Sequence, residues 1–241
     1  MGTNILRSCF TKSVTIKACF GLKTTGLQFG SQDVFFHDVL FISKLRGFTR
    51  IFNKKSMHKK TVPDWLLKSR EKWTYTGEKR PDFAITPAAG QISVWDFPRP
   101  PALVSERRTV KVQFEGQTIA LSENAMAIRE TASPPTFYVP PKDVNEALLV
   151  RIDGKTSVCE WKGASTYWAL KVQPSKAIAW SYSNPFSPFE PIANFFAFYP
   201  QHLNCLLNDE PVTPQPGGFY AGWITNELVG PFKGEPGTGH W

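Results

Sequence analysis

All 20 prolines of this 241-residue chain lie after Val62, and so do all eight tryptophans and all six tyrosines. A proline removes a helical hydrogen bond and is kept out of the middle of a sheet. At that density residues 63–241 are restricted to short elements joined by turns. The same boundary divides the charge. Residues 1–62 carry 11 Lys and Arg against Asp33 and Asp38, a net of +9, whereas 63–241 carry 17 against 18, a net of −1. The formal +8 of the whole chain therefore belongs to its first quarter. The rest lacks the electrostatic footprint of a phosphate-backbone reader, so no nucleic-acid partner is expected.

Up to Gln32 there is no acidic residue, while Arg7, Lys12, Lys17 and Lys23 are spaced through a Ser/Thr-rich, weakly apolar stretch. That composition predicts an organellar transit peptide; a secretory signal would need the apolar core that Lys12 and Lys17 interrupt. Farther on, Phe35, Val39, Ile42, Leu45 and Phe48 form one helical stripe with Lys44, Arg46 and Arg50 between them. It reads as part of the presequence or as a membrane-surface helix kept in the mature protein. Met57 offers an alternative start. Residues 1–62 are thus expected to be a transit peptide or disordered leader, addressed to the chloroplast with the mitochondrion as the alternative. Nowhere do 18 apolar residues run together, so stable membrane insertion is not expected.

From Pro63 on, alternation marks strands. Val110, Val112 and Phe114, the turn Glu115-Gly116, then Ile119 and Leu121 predict a hairpin. Ser122 to Ala125 reads as one turn of helix. Ala127–Thr131 and Thr136–Val139 read as extended, with Pro134-Pro135 breaking the chain between them. Asp143–Leu149 is the best helix, and Ser157–Trp161 with Ser165–Val172 predicts a second hairpin about Lys162-Gly163. Ile178–Tyr182, Phe195–Tyr199 and Leu203–Leu207 follow as strands. Strands about every ten residues with one short helix predict a mainly β single domain, a sandwich or a partly closed barrel. Residues 63–93 form an extended N-terminal arm. Residues 214–241 form an irregular Pro/Gly/aromatic tail packed on the body, its glycines passing close over the sheet with Phe219, Tyr220 and Trp223 as anchors.

Several strings are specific enough to place this body. They are Gln91 to Pro101 (QISVWDFPRPP), Arg129-Glu130-Thr131 ahead of Pro134-Pro135, Tyr138 to Asp143 (YVPPKD) and Cys159 to Gly163 (CEWKG) with Tyr167-Trp168. Ala179 to Tyr182 (AWSY), Ala197 to Pro200 (AFYP) and Pro214 to Gly237 complete the set. Together they resemble the family called domain of unknown function 427, in its longer form, and its cyanobacterial members most. The resemblance covers about Asp64 to Trp241. It implies a compact β fold similar to the β-tent or Mss4-like architecture and no established activity. A nucleotidyltransferase label sometimes given to the family wants an Asp-x-Asp pair for two metal ions, and this sequence has none. Ser157-Val158 stands where the family leads one to expect Thr and an aromatic residue, and Asn184 where Asp is expected.

The residues leave three function classes open. The first is a β domain that binds a small polar or anionic ligand in a mostly apolar, aromatic pocket with a few placed charges. Its lining would draw on Arg129, Glu130, Tyr138, Tyr167, Trp168, Trp180 and Tyr182. Arg129 and Glu130, being adjacent on a strand, point to opposite faces, so only one of them can serve. The second is an enzyme using Cys159, Glu160 and Lys162 for thiol or acid-base chemistry, with Lys162 drawing the thiol toward thiolate. The third is an interaction module that docks a partner through its tail. His202-x-x-Cys205 with Cys159 falls short of the four ligands of a structural zinc site, so neither metal nor cofactor is expected. A redox pair of Cys159 with Cys205 is the remaining use of the two body cysteines.

Overall fold

The computed structural model describes residues 61–241, so nearly all of the leader, including its apolar stripe, lies outside the described residues. Two sheets carry the fold. The larger has seven strands in the spatial order Ala102–Ser105, Met126–Glu130, Ser133–Val139, Phe196–Phe198, Gln173–Ser181, Thr166–Leu170 and Leu149–Arg151. The smaller has four, Glu210–Pro211, Asn204–Leu207, Val110–Phe114 and Gln117–Ser122, with the expected hairpin turning at Glu115-Gly116. Three two-stranded ribbons accompany them. The domain is mainly β, as the sequence predicts, and neither of these two sheets closes into a barrel.

The sheets meet over one core. Val110, Val112, Ile119, Cys205 and Leu207 of the smaller sheet pack with Phe137, Val139, Ile178, Phe196 and Phe198 of the larger. Alternation sends the next residues to the opposite face of the large sheet. There Tyr138, Ala197, Tyr182 and Ile128 join Trp161, Phe189 and Ile192 in a second cluster. Because side chains repeat every two residues along a strand, the residues between the inter-sheet core positions line this second face.

Local bonding explains the departures from expectation. Asp143–Leu149 is not an α-helix but two 3-10 turns, Pro141–Asp143 and Glu146–Leu148, followed by a strand. The amide of Asn145 donates to the Ile119 carbonyl at 2.8 Å and Val144 bridges Ala120, so the smaller sheet takes bonds a helix would need. Among the described residues the one α-helix is Asp64–Arg70, with Pro63 at its start and Asp64 in its first turn, where negative charge suits the helix dipole. Ser122 to Ala125 holds no helical turn: the Ser122 hydroxyl donates to Asp143 and accepts from the Asn124 amide.

Pro134 and Pro135 lie inside the strand Ser133–Val139 and do not break it. Within this strand only Tyr138 and Val139 pair with Phe196–Phe198, and a register shift between Ile128 and Glu130 loosens the other side, so the proline half owes few ladder bonds. The second hairpin is shorter than expected, Val158–Cys159 with Gly163–Ala164, while Thr166–Leu170 pairs with Gln173–Ser181 and Leu149–Arg151. Among the described residues no helix is long and apolar enough to cross a membrane.

Candidate functional site

Strand register builds a row on the second face of the large sheet. Tyr138 stands opposite Ala197, Ala197 opposite Trp180, and Trp180 opposite Tyr167. The small Ala197 leaves space between aromatic neighbours. Above this row opens a cavity of about 220 Å³, which Ile128, Glu130 and Tyr182 also line. The Val158–Cys159 hairpin supplies one wall with Cys159, Glu160 and Lys162. Its turn closes tightly because Gly163 has φ +95°, and a Cβ there would meet the Phe186 ring at 3.2 Å. Trp73, just beyond the N-terminal helix, and Gln215, Tyr220 and Lys233 of the tail form the rest.

Of the residues expected at the site, Glu130, Tyr138, Tyr167, Trp180, Tyr182, Cys159, Glu160 and Lys162 share this cavity. Arg129 and Trp168 do not. Both sit one residue out of phase with a lining neighbour, so the pleat turns them to the other face. Trp168 packs on the inter-sheet core and donates from its indole nitrogen to the Ser181 hydroxyl at 2.9 Å. Arg129 lies over the Phe97 ring at 5.6 Å, its Nε buried and without a hydrogen-bond partner. The tail anchors also divide: Trp223 is 1% exposed, Tyr220 lines the cavity, and Phe219, though 68% exposed, borders the cavity with its ring edge-on to Tyr220 at 5.3 Å.

Sequence reasoning missed a second basic group. Arg99, its side chain 2% exposed, donates from Nε to Glu130 at 3.1 Å and from its two terminal nitrogens to the carbonyls of Tyr75 and Thr131. Its guanidinium lies over the Trp73 ring at 4.3 Å, and Lys233 Nζ lies over the same ring at 3.8 Å. Lys233 is 3% exposed, and its Nζ donates to the main-chain oxygen of Trp241 at 2.7 Å. The Trp73 indole nitrogen in turn donates to Glu160 at 3.1 Å. The QISVWDFPRPP string contains Arg99, but nothing in its spacing shows that it folds back onto Glu130.

Burial sets the protonation states. It pushes the Cys159 thiol up, the pull of Lys162 being the weaker effect, with Glu160 and Glu130 adding to the rise. It raises Tyr138 to about 12 against the opposing pull of Lys162, and it raises Tyr182 and Tyr199 as well. Lys162 is itself buried, which alone would lower it, but the negative forms of Cys159 and Tyr138, with Glu130, outweigh that and hold the ammonium above its ordinary range. Lys233 goes the other way: burial and then Arg99 lower it to about 8, against Glu130 and Glu160. At neutral pH the cavity thus presents neutral phenols and a neutral thiol, which leaves Glu130 as the charge that favours the Lys162 ammonium.

Cys205 belongs to the inter-sheet core and Cys159 to the second cluster; both are free. Among the described residues no three His, Cys, Asp or Glu side chains gather into a metal-binding group. A family model described as a domain of unknown function (DUF427) matches residues 102–209. The likeness is to this segment, less than half of the chain. No curated protein matches the chain. The matched segment contains the aromatic row and the Cys159–Lys162 wall, while Trp73 and the tail with Gln215, Tyr220 and Lys233 line the cavity from outside it.

Proposed function

We infer that the domain binds a small anionic molecule in this cavity. The observation that carries the inference is Lys162, only 8% exposed, lining a cavity walled mainly by phenols and aromatic rings, in which Glu130 is bonded to Arg99 and Glu160 to Trp73. A buried charge is costly unless paired. Glu130 is the nearby carboxylate that favours Lys162, and it is already engaged by Arg99. An anionic group on a ligand would give Lys162 a partner and accept from the phenols around it. The aromatic walls suit an apolar body attached to that group. Thiol catalysis has less support, because burial keeps Cys159 protonated where a nucleophile needs thiolate.

The test is titration calorimetry of the purified chain with a panel of small carboxylates, phosphate esters and their neutral amides. A member of the anionic set is expected to bind, with Lys162→Met weakening it by about tenfold or more, the loss of a charge-assisted hydrogen bond. Equal binding of acids and their amides would sink the inference. The leader's acid-poor composition carries a separate proposal, a plastid address. N-terminal sequencing of protein isolated from plastids would support it by a start beyond Gln32, and an intact Met1 would oppose it.

A further inference from the structure

The floor of the cavity and its two ends fix more than the sign of a ligand. Ring contacts run without a break from Tyr182 to Tyr138, from Tyr138 to Trp180 and from Trp180 to Tyr199, with centres 6.3, 6.2 and 4.8 Å apart. All four residues line the cavity. Register places Tyr138 and Tyr167 three strands apart, at opposite ends of the row, and the ends differ in chemistry. Lys162 acts on Tyr138 and Cys159 at one of them. At the other, the Tyr167 hydroxyl lies 2.9 Å from that of Ser157, which lies 2.9 Å from that of Ser165. A hydroxyl has one hydrogen and two lone pairs, and either member of each pair can donate, so the Tyr167 oxygen keeps a place for a further partner. We propose that the cavity takes a single-ring phenolic acid of the hydroxybenzoate class, its carboxylate on Lys162, its ring on the aromatic floor and its hydroxyl on Tyr167.

The proposal rests on the anion-binding role of the cavity and adds the body of the anion. Volume limits that body. A cavity of about 150 Å³ holds one benzene, roughly 25 Å³ for each heavy atom. On that scale the 220 Å³ of this cavity accommodates about nine heavy atoms, one ring with a carboxylate and little more. A phosphate head group would leave no room for a ring, and a second fused ring would project into solvent. Ring character follows from the floor, because aromatic pairs gain more than their buried area alone, so a flat ring outbinds a saturated one of the same size. The hydroxyl follows from Tyr167, whose open hydrogen-bonding place would be covered and left unfilled by plain benzoate. The other charges at the cavity are engaged: Glu130 bonds Arg99, Glu160 bonds Trp73, and Lys233 bonds the main-chain oxygen of Trp241. Lys162 is left as the seat for the acid.

The experiment is titration calorimetry of the full chain with benzoate, meta- and para-hydroxybenzoate, the amides of all three, cyclohexanecarboxylate and a hydroxynaphthoate. At least one hydroxybenzoate is expected to bind about three- to tenfold tighter than benzoate, the worth of one hydrogen bond. Benzoate should bind about threefold or more tighter than cyclohexanecarboxylate, and the hydroxynaphthoate more weakly than the better hydroxybenzoate. Tyr167→Phe keeps the ring, so it should bring that hydroxybenzoate down to the level of benzoate while benzoate affinity and the melting temperature stay near the parent's. Ser157→Ala, which unties the Tyr167 hydroxyl without altering its ring, should lower the same preference. Cyclohexanecarboxylate equal to benzoate, hydroxybenzoates no tighter than benzoate, a hydroxynaphthoate as tight as they are, or a preference that survives in Tyr167→Phe overturns the proposal. Anion binding stands in each of those cases if the acids bind and Lys162→Met weakens them. Failure of every ring acid while an aliphatic acid or a phosphate ester binds overturns the phenolic acid alone. Amides equal to their acids overturn anion binding itself, and with it the acid half of the proposal.

Discussion

Glu130 is the side chain on which the charge of the cavity turns. It pairs with Arg99 and its field reaches Lys162, Lys233 and Cys159. Replacing it by Gln removes the only carboxylate bonded to a guanidinium that is 2% exposed, while two carbonyls still accept from that group. Glu130→Gln is expected to cost about 2 kcal/mol, the scale of a hydrogen bond to a charged group, measured by urea unfolding. Lys233 makes a pH signature of the opposite kind. Its folded pKa, about 8, lies below the 10.5 of an unperturbed lysine, so between those values the unfolded chain holds the extra proton. Stability contributed by this residue therefore rises with pH from about 8 to 10.5, and the penalty is fully present below 8. The difference in urea midpoint between parent and Lys233→Met should move in the parent's favour as pH climbs through that window; a flat difference would contradict the burial of this amine. Cys159 gives a third check, because its raised pKa should make alkylation by iodoacetamide slow at pH 7 and steep only above about 8.5, the ordinary thiol value.

Single-residue phase along the strands sorts the neighbours Tyr167 and Trp168. Trp168→Ala should destabilise by about 2–3 kcal/mol, somewhat less than a fully buried large-to-small change because the indole is only partly buried, and leave ligand affinity nearly intact at temperatures where the variant is folded. Tyr167→Phe should do the reverse, since it removes a hydroxyl that hydrogen-bonds Ser157 at 2.9 Å at the cavity wall. Paired melting curves and calorimetric titrations would separate the two effects, and equal behaviour of both variants would contradict the register. Period-two alternation made the central strands and most of the lining readable from the chain alone, and it showed that Arg129 and Glu130 could not both serve. It did not say which of the pair faces the cavity, because that depends on which face the smaller sheet covers. The helix expected at Asp143–Leu149 failed for a related reason: the apolar spacing was there, but a neighbouring strand bonds the backbone instead. Arg99, Trp73 and Lys233 stayed hidden because each reaches the site from a segment without periodicity.

At the scale of the whole molecule, the C-terminal tail is part of the core. Trp223 is 1% exposed, packs its ring tilted against Phe137 at 5.1 Å between ring centres and donates to the Phe198 carbonyl. Gln215 ties two turns of the tail together, accepting from the Gly222 amide and donating to the Lys233 carbonyl. A Cβ at Gly222 would lie 2.6 Å from the Pro134 carbonyl, so the tail crosses the proline half of its strand at a distance only glycine allows. Trp223→Ala alone should cost about 3–5 kcal/mol out of the roughly 5–15 kcal/mol that holds a typical domain together. Removing residues 214–241 takes away that indole, the Lys233 ammonium and one wall of the cavity together. The truncated chain is therefore expected to lose its cooperative thermal transition and its near-ultraviolet circular dichroism. A truncated chain that still melts cooperatively and binds the same anion would make the tail a separable docking segment, the interaction-module alternative. The milder Trp223→Phe, which keeps an aromatic ring but loses the bond to Phe198, should fold, melt a few degrees lower and bind as the parent does, because Trp223 faces the inter-sheet core and not the cavity.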